Sequence, residues 1–170
     1  LRSVEVYLNN EYQGVYTLCE HKKVSSDRVD IYVAEETDAP EAGGYYLEIE
    51  ENQDETTCWW TGMGVPMMFS EPEVPTPDQL EYVKKLFEDF ETSLYSDDLA
   101  DPVKGYAGYI DVDSFINYYI IQEITKNIDG NLRKSSLITI EAGGKMEMYH
   151  VWDFDLTLGN CGYFDGSVGN

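Results

Sequence analysis

Two aspartates in the last third of the chain, Asp129 and Asp153, have the residue type and spacing that phosphoryl-transfer chemistry needs. Asp129 follows an apolar helical pattern in the turn sequence Asn127-Ile128-Asp129-Gly130, and Asp153 closes a hydrophobic strand pattern in Trp152-Asp153-Phe154-Asp155. The two lie 24 residues apart (153 − 129), enough for a hairpin to bring both ends back together. In a phosphoryl-transfer lobe one loop Asp orients the attacking hydroxyl and accepts its proton, and a second holds the metal that bridges the nucleotide phosphates. Asp153 is preferred over Asp155 for the metal because it directly terminates the strand pattern, with Asp155 as the further candidate.

Other chemistries fit the residues less well. Asp153-Phe154-Asp155 is also a DxD pattern of the kind that grips the metal of a nucleotide sugar, but that use wants alternating βαβ units. Here the approach is strand, turn through Gly143-Gly144, strand. No calcium loop with alternating Asp/Asn, Gly and a closing Glu is present, and Asp111 and Asp113 read as helix-start residues. Neither His21 nor His150 accompanies a nucleophile-elbow motif, and His150 reads as a packed strand residue.

The elements that must position the pair can be read from local signals. Ser3–Leu8 and Tyr12–Glu20 form a hairpin pattern around Asn9-Asn10-Glu11, with a bulge or close approach expected at Gly14. Val29–Ala34 and Tyr45–Ile49 read as short strands, and residues 50–75 as an ordered loop sheltering Trp59, Trp60, Met67, Met68 and Phe69. A capping box at Thr76-Pro77-Asp78-Gln79 opens a helix with Leu80, Val83, Leu86, Phe87, Phe90 and Leu94 at helical spacing. A second helix starts near Asp111 or Asp113 and is expected to bury Val112, Phe115, Ile116, Tyr119, Ile120 and Ile124. Its stop is expected at 127–130, with Gly130 left-handed. Strands over Ser136–Glu141 and Lys145–Trp152 then flank the Gly143-Gly144 turn. With no repeat, low-complexity tract or flexible linker, residues 1–170 read as one α+β domain.

Composition narrows the partners. Thirty-three acidic residues against 11 basic ones give a formal net charge of −22, which opposes binding to nucleic acid and anionic membrane. The same field repels free nucleotide, so a phosphate-handling site requires divalent cations to reverse it locally. Fourteen Tyr, three Trp and six Phe exclude a disordered acidic tail. Cys19, Cys58 and Cys161 have no zinc spacing and allow at most one of three pairings within the chain. No apolar run approaches a membrane span. Leu1 opens directly into a strand pattern without a signal peptide, which reads as a domain cut partway through.

Five segments, VEVYLNNEYQGVY at 4–16, GGYYLE at 43–48, DSFI at 113–116, EITKNIDG at 123–130 and VWDFDLTLGN at 151–160, occur in an order that resembles the spore coat protein H (CotH) kinase-like family. The resemblance implies an atypical protein-kinase-like fold: a β-hairpin and hinge region, then a mainly helical lobe carrying both aspartates. It implies Asp129 as the catalytic-loop Asp and Asp153 as the metal-binding Asp. It also implies that Cys19, Glu20 and His21, after the opening hairpin, contact the nucleotide. ATP and Mg²⁺ or Mn²⁺ are the cofactors so implied, with Ser/Thr of an extracellular or coat protein as substrate. The location implied is secreted, at a cell surface or on a spore coat. The phosphate-contacting Lys and its acidic partner are expected upstream of Leu1. Kinase-like loops place a metal-binding Asn about five residues after the catalytic Asp. Lys134 occupies that position here, leaving Ser135 as the candidate oxygen ligand and Asn131 as an alternative. The rival class is a kinase-like fold kept as a non-catalytic binding or structural module.

Overall fold

The computed structural model describes residues 1–51, 57–130, 132 and 134–162, and the chain forms two compact units, Leu1–Asp30 and Ile31–Asn170. In the first unit, β1 (Arg2–Leu8) and β2 (Glu11–Leu18) pair antiparallel. Asn9 and Asn10 both take positive φ (51° and 67°), the conformation a two-residue hairpin turn demands. The register shifts between Val6 and Tyr7, and Gly14 sits opposite that shift at φ 113°, so the expected bulge is present.

The second unit is built on a five-stranded antiparallel sheet in the order β4-β5-β3-β6-β7. Its strands are β3 (Tyr45–Ile49), β4 (Cys58–Trp60), β5 (Pro66–Glu71), β6 (Ser136–Ile140) and β7 (Met146–Glu147). Every residue of β3 and β6 is buried, as befits the strands at the centre of the order. Tyr45, Leu47 and Ile49 share one cluster with Ile138 and Ile140, and residues of both helices join it, so both helices cover the same sheet face. α1 (Pro77–Ser93) buries Val83 and Phe87, whose ring meets Trp59 edge-on at 6.1 Å between centroids. α2 (Val112–Thr125) contributes Tyr118, with Val112 and Phe115 partly buried beside it.

The expected capping box is complete. Thr76 Oγ1 accepts from Gln79 N at 3.3 Å, and Gln79 Oε1 accepts from Thr76 N at 2.8 Å. Asp111 caps α2 by accepting from Ser114 N at 2.7 Å, and Asp113 lies in the first turn.

Several expectations require correction. The lobe expected to be mainly helical is centred on a sheet, because β4 and β5 form inside the stretch read as loop. Their short length and the Gly62/Gly64 turn hide a period-two pattern that Met67 and Phe69 complete only once paired. Val29–Ala34 makes isolated bridges, Val24 to Val29 and Val33 to Gly44, in place of a strand. A turn closed by Asp38 on the Glu35 backbone ends that extension at once. β7 is two residues long, not eight. Its first residue already meets the start of α2, where Asp111 N donates to Met146 O at 2.9 Å, and just beyond the strand Met148 N donates to Ser114 Oγ at 3.2 Å.

The buried face of α2 also differs from expectation. Ile116, Tyr119, Ile120 and Ile124 are exposed, whereas Tyr118 and Gln122 are buried. The contacts from Asp111 and Ser114 to the β7 segment, with Tyr118 Oη to Ser136 Oγ at 2.7 Å, fix the rotation of the helix. Because α2 is apolar on more than one side, its sequence does not say which stripe faces the sheet.

Candidate active site

The loop that follows α2 carries Asp129. Lys126 takes the left-handed C-cap position (φ 52°, ψ 50°), and its N–H bonds the Gln122 carbonyl. The role assigned to Gly130 by sequence therefore falls to Lys126, and Gly130 is not among the positive-φ glycines. A Cβ at 130 would lie 2.2 Å from Gln122 Oε1, so a larger residue there requires that amide to shift.

Asp129 is only 8% exposed. Its backbone N–H donates to Asn127 Oδ1 at 3.3 Å, and Lys134 Nζ lies 3.2 Å from its Oδ2. One residue further on, the Ser135 hydroxyl donates to Asp153 Oδ2 at 3.0 Å. The Lys134-Ser135 dipeptide thus ties together two carboxylates that are 24 residues apart in sequence (153 − 129). The turn after Asp153 adds a second tie, because Leu158 N donates to the Thr125 carbonyl at the end of α2 at 2.7 Å. Thr157 Oγ1 to Phe154 O (2.8 Å) and Asn160 Nδ2 to Asp155 O (2.6 Å) hold that turn closed.

Ser135 and Asp153 both have left-handed backbones, at φ 53° and 60°. Such conformations are uncommon for residues with a Cβ, although Asp tolerates them better than most, and they concentrate where a side chain must be aimed. Asp153 leaves the strand direction at this point instead of simply ending it, because the paired part of β7 has already stopped at Glu147. Asp155 is exposed, and Asn131 lies outside the described residues.

For a divalent cation the donor set is the Asp153 carboxylate and the Ser135 hydroxyl. Among the described residues no group of three or more His, Cys, Asp or Glu converges as a metal cage. The pair still fits Mg²⁺, which keeps waters and substrate phosphates and takes one or two protein oxygens in nucleotide sites. Cys19, Glu20 and His21 lie in the first unit and are exposed, with Glu20 ion-paired to Arg28. Cys19 is an exposed free thiol. Among the described residues no helix is long and apolar enough to cross a membrane.

The residue that sequence reasoning undervalued is Lys134. It entered as a departure at an Asn position, and the structure makes it the ion partner of Asp129. A cation five residues beyond a loop Asp was the available signal.

A family model described as CotH kinase protein matches residues 1–169. The chain therefore belongs to the CotH kinase family. No curated protein and no solved structure matches it.

Proposed function

With that membership as the premise, we propose that this chain carries the acid pair of a phosphotransferase acting on Ser or Thr of surface proteins. One observation carries the reading: adjacent residues, Lys134 and Ser135, bond Asp129 and Asp153 respectively. Asp129 is the group that accepts the proton of the attacking hydroxyl, through the carboxylate that Lys134 holds. Burial to 8% exposure limits the waters that compete for that carboxylate. Asp153 and Ser135 are the residues that would hold Mg²⁺ or Mn²⁺, with Asp155 in reserve one residue beyond Phe154. Such an ion neutralises phosphate charge that a chain of net charge −22 otherwise repels.

We assign Cys19, Glu20 and His21 to contacts with ATP, and treat residues 1–170 as part of one kinase-like domain. The proposed location is outside the cell, on its surface or on a spore coat, and the protein substrate belongs to the same compartment.

A second reading has its own support. The Lys134–Asp129 ion pair occupies the proposed base, and Lys134 stands where a metal-binding Asn is expected, so the fold can serve as a nucleotide-binding module without transfer. The two readings separate in one set of measurements: metal-dependent ATP binding by calorimetry, and transfer of labelled γ-phosphate to protein. Catalysis predicts that Asp129→Ala loses transfer and keeps ATP binding, while Asp153→Asn weakens metal-dependent ATP binding. Binding without transfer in the unaltered protein selects the module. Unaltered behaviour in both variants refutes the site assignment under either reading.

A further inference from the structure

Lys134 makes an ion pair of a different kind from Lys85, Lys104 and Lys126. The pairs Lys85–Asp89 and Lys126–Glu123 join neighbours on or at the end of one helix, and Lys104–Asp98 joins two exposed side chains. Lys134 reaches a carboxylate whose side chain is 10% exposed, while its own side chain stays 39% exposed. One partner is inside the protein and the other opens toward solvent.

The lysine is held at its backbone as well. Its carbonyl accepts from Ser136 Oγ at 3.3 Å, and that hydroxyl also meets Tyr118 Oη at 2.7 Å. Ser136 is the first residue of β6, fully buried and paired with Ile49. Between Lys134 and the strand lies Ser135, which bonds Asp153. The Lys134-Ser135 step thus spans the two carboxylates, with the ammonium on the Asp129 side.

In the transfer reaction proposed above, the phosphoryl group leaves a nucleotide held through Asp153 for the hydroxyl whose proton Asp129 accepts. It travels between two carboxylates, and both repel it. An ammonium carries three N–H donors, so it can hold Asp129 and a phosphoryl oxygen together. Its effect also grows during the step. At the start the Asp129 carboxylate offsets the lysine charge. Once the hydroxyl proton has passed to Asp129 that offset is gone, and the ammonium acts undiminished on the phosphoryl oxygens. An interaction that strengthens toward the transition state raises kcat as well as affinity.

We propose that Lys134 is a catalytic residue that donates to the transferring phosphoryl group in addition to holding Asp129; this rests on the phosphotransferase reading. The bond formed joins the Ser or Thr oxygen to the γ-phosphorus of a nucleoside triphosphate. The bond broken runs from that phosphorus to the β,γ-bridging oxygen, and the nucleoside diphosphate leaves with the electron pair. The proton goes to Asp129, and Lys134 neither gains nor loses one. The Lys134–Asp129 pair is then the resting form of the site and not a block on it.

The test compares calorimetric binding of two nucleotides to the full chain, each with Mn²⁺: ADP, and the non-hydrolysable β,γ-imido analogue of ATP, which adds the third phosphate. Lys134→Met keeps the stem and removes the charge. It should weaken the imido analogue about tenfold or more, the worth of one charge-assisted hydrogen bond, and ADP by less than about threefold. Lys134→Arg keeps the charge and should hold the preference for the analogue within about threefold of the unaltered chain. In transfer of labelled γ-phosphate, Lys134→Met should lose about a hundredfold in kcat. Lys85→Met removes a charge from the exposed pair on α1 and should leave both affinities unchanged.

Lys134→Met leaves the Asp129 carboxylate without this ion partner, so the decisive comparison is made in Asp129→Asn, where no buried charge is stranded. There Lys134→Met should still lower the preference for the imido analogue about tenfold. Equal weakening of both nucleotides, or no effect in the Asp129→Asn background, overturns the proposal and leaves Lys134 as a partner of Asp129 alone. Failure of the phosphotransferase reading looks different. The unaltered chain then binds neither nucleotide or transfers no phosphate, or Asp153→Asn binds both nucleotides as before, and the proposal falls with it.

Discussion

Replacing Gly130 with Ala places a single methyl group against a buried side chain, and the outcome is set by two opposed effects. An ideal Cβ at Gly130 lies 2.2 Å from Gln122 Oε1, 2.4 Å from Cδ and 2.6 Å from Nε2. All three are far inside contact distance, so the amide must move by about an ångström, and Gln122 is only 6% exposed. Overpacking of this kind costs about 1–3 kcal/mol. Against it stands the reduced freedom of the unfolded chain, worth about 0.4–1 kcal/mol in favour of Ala where the backbone is unstrained. Gly130 is absent from the positive-φ residues, so that gain applies in full. From the middle of each range the clash wins by about 1 kcal/mol, or roughly 2–4 °C in Tm for a chain of this size. Urea and thermal unfolding followed by circular dichroism measure both quantities. The decisive step is the cycle with Gln122→Ala. Without the amide, Gly130→Ala should cost nothing or stabilise slightly, giving a coupling of at least about 1 kcal/mol. An equal cost in both backgrounds, or a cost below about 0.5 kcal/mol in the native background, refutes the packing argument.

Further predictions concern stability and its pH dependence. Thr76→Ala removes half of the capping box on α1 and should lower unfolding free energy by about 1 kcal/mol in urea; no change would mean the cap is idle. Lys126→Gly relieves a left-handed backbone at φ 52° worth about 1 kcal/mol. It forfeits the partly exposed pair with Glu123 at 3.4 Å, worth a few tenths, so the urea midpoint should rise, and a fall would show that the pair outweighs the strain. Burial, then Asp111 and Glu141, raises the Glu147 pKa above its ordinary 4.5. A raised carboxyl contributes stability that is complete below the unfolded value and is lost as pH rises through the folded one. Glu147→Gln should therefore raise Tm at pH 7 and flatten the decline in stability above pH 4.5, and an unchanged pH profile would contradict the assignment.

Features encoded within a few consecutive residues were legible without coordinates. The capping box at Thr76–Gln79, the Asn9-Asn10 turn and the Asp111 cap depend on contacts two to three residues apart, and each is found where the sequence places it. β3 is found over Tyr45–Ile49 for a related reason, since a run of apolar residues after Gly43-Gly44 leaves few alternatives. The order of motifs was likewise sufficient to recognise the CotH family.

What tertiary structure decided is the set of relations between distant segments. The apolar character of α2 on several sides left its rotation open, and hydrogen bonds to Met146, Met148 and Ser136 settled it, exposing the stripe that periodicity had assigned to the core. β7 stops at Glu147, and Asp153 sits at φ 60°, off the strand direction. Ser135 entered from sequence as an oxygen donor and Lys134 as an anomaly; only the folded loop joins one to Asp153 and the other to Asp129. Local chemistry could name the two carboxylates, because residue type and spacing are written in the chain. Which neighbours hold them depended on the path of the backbone between them, which no local signal records.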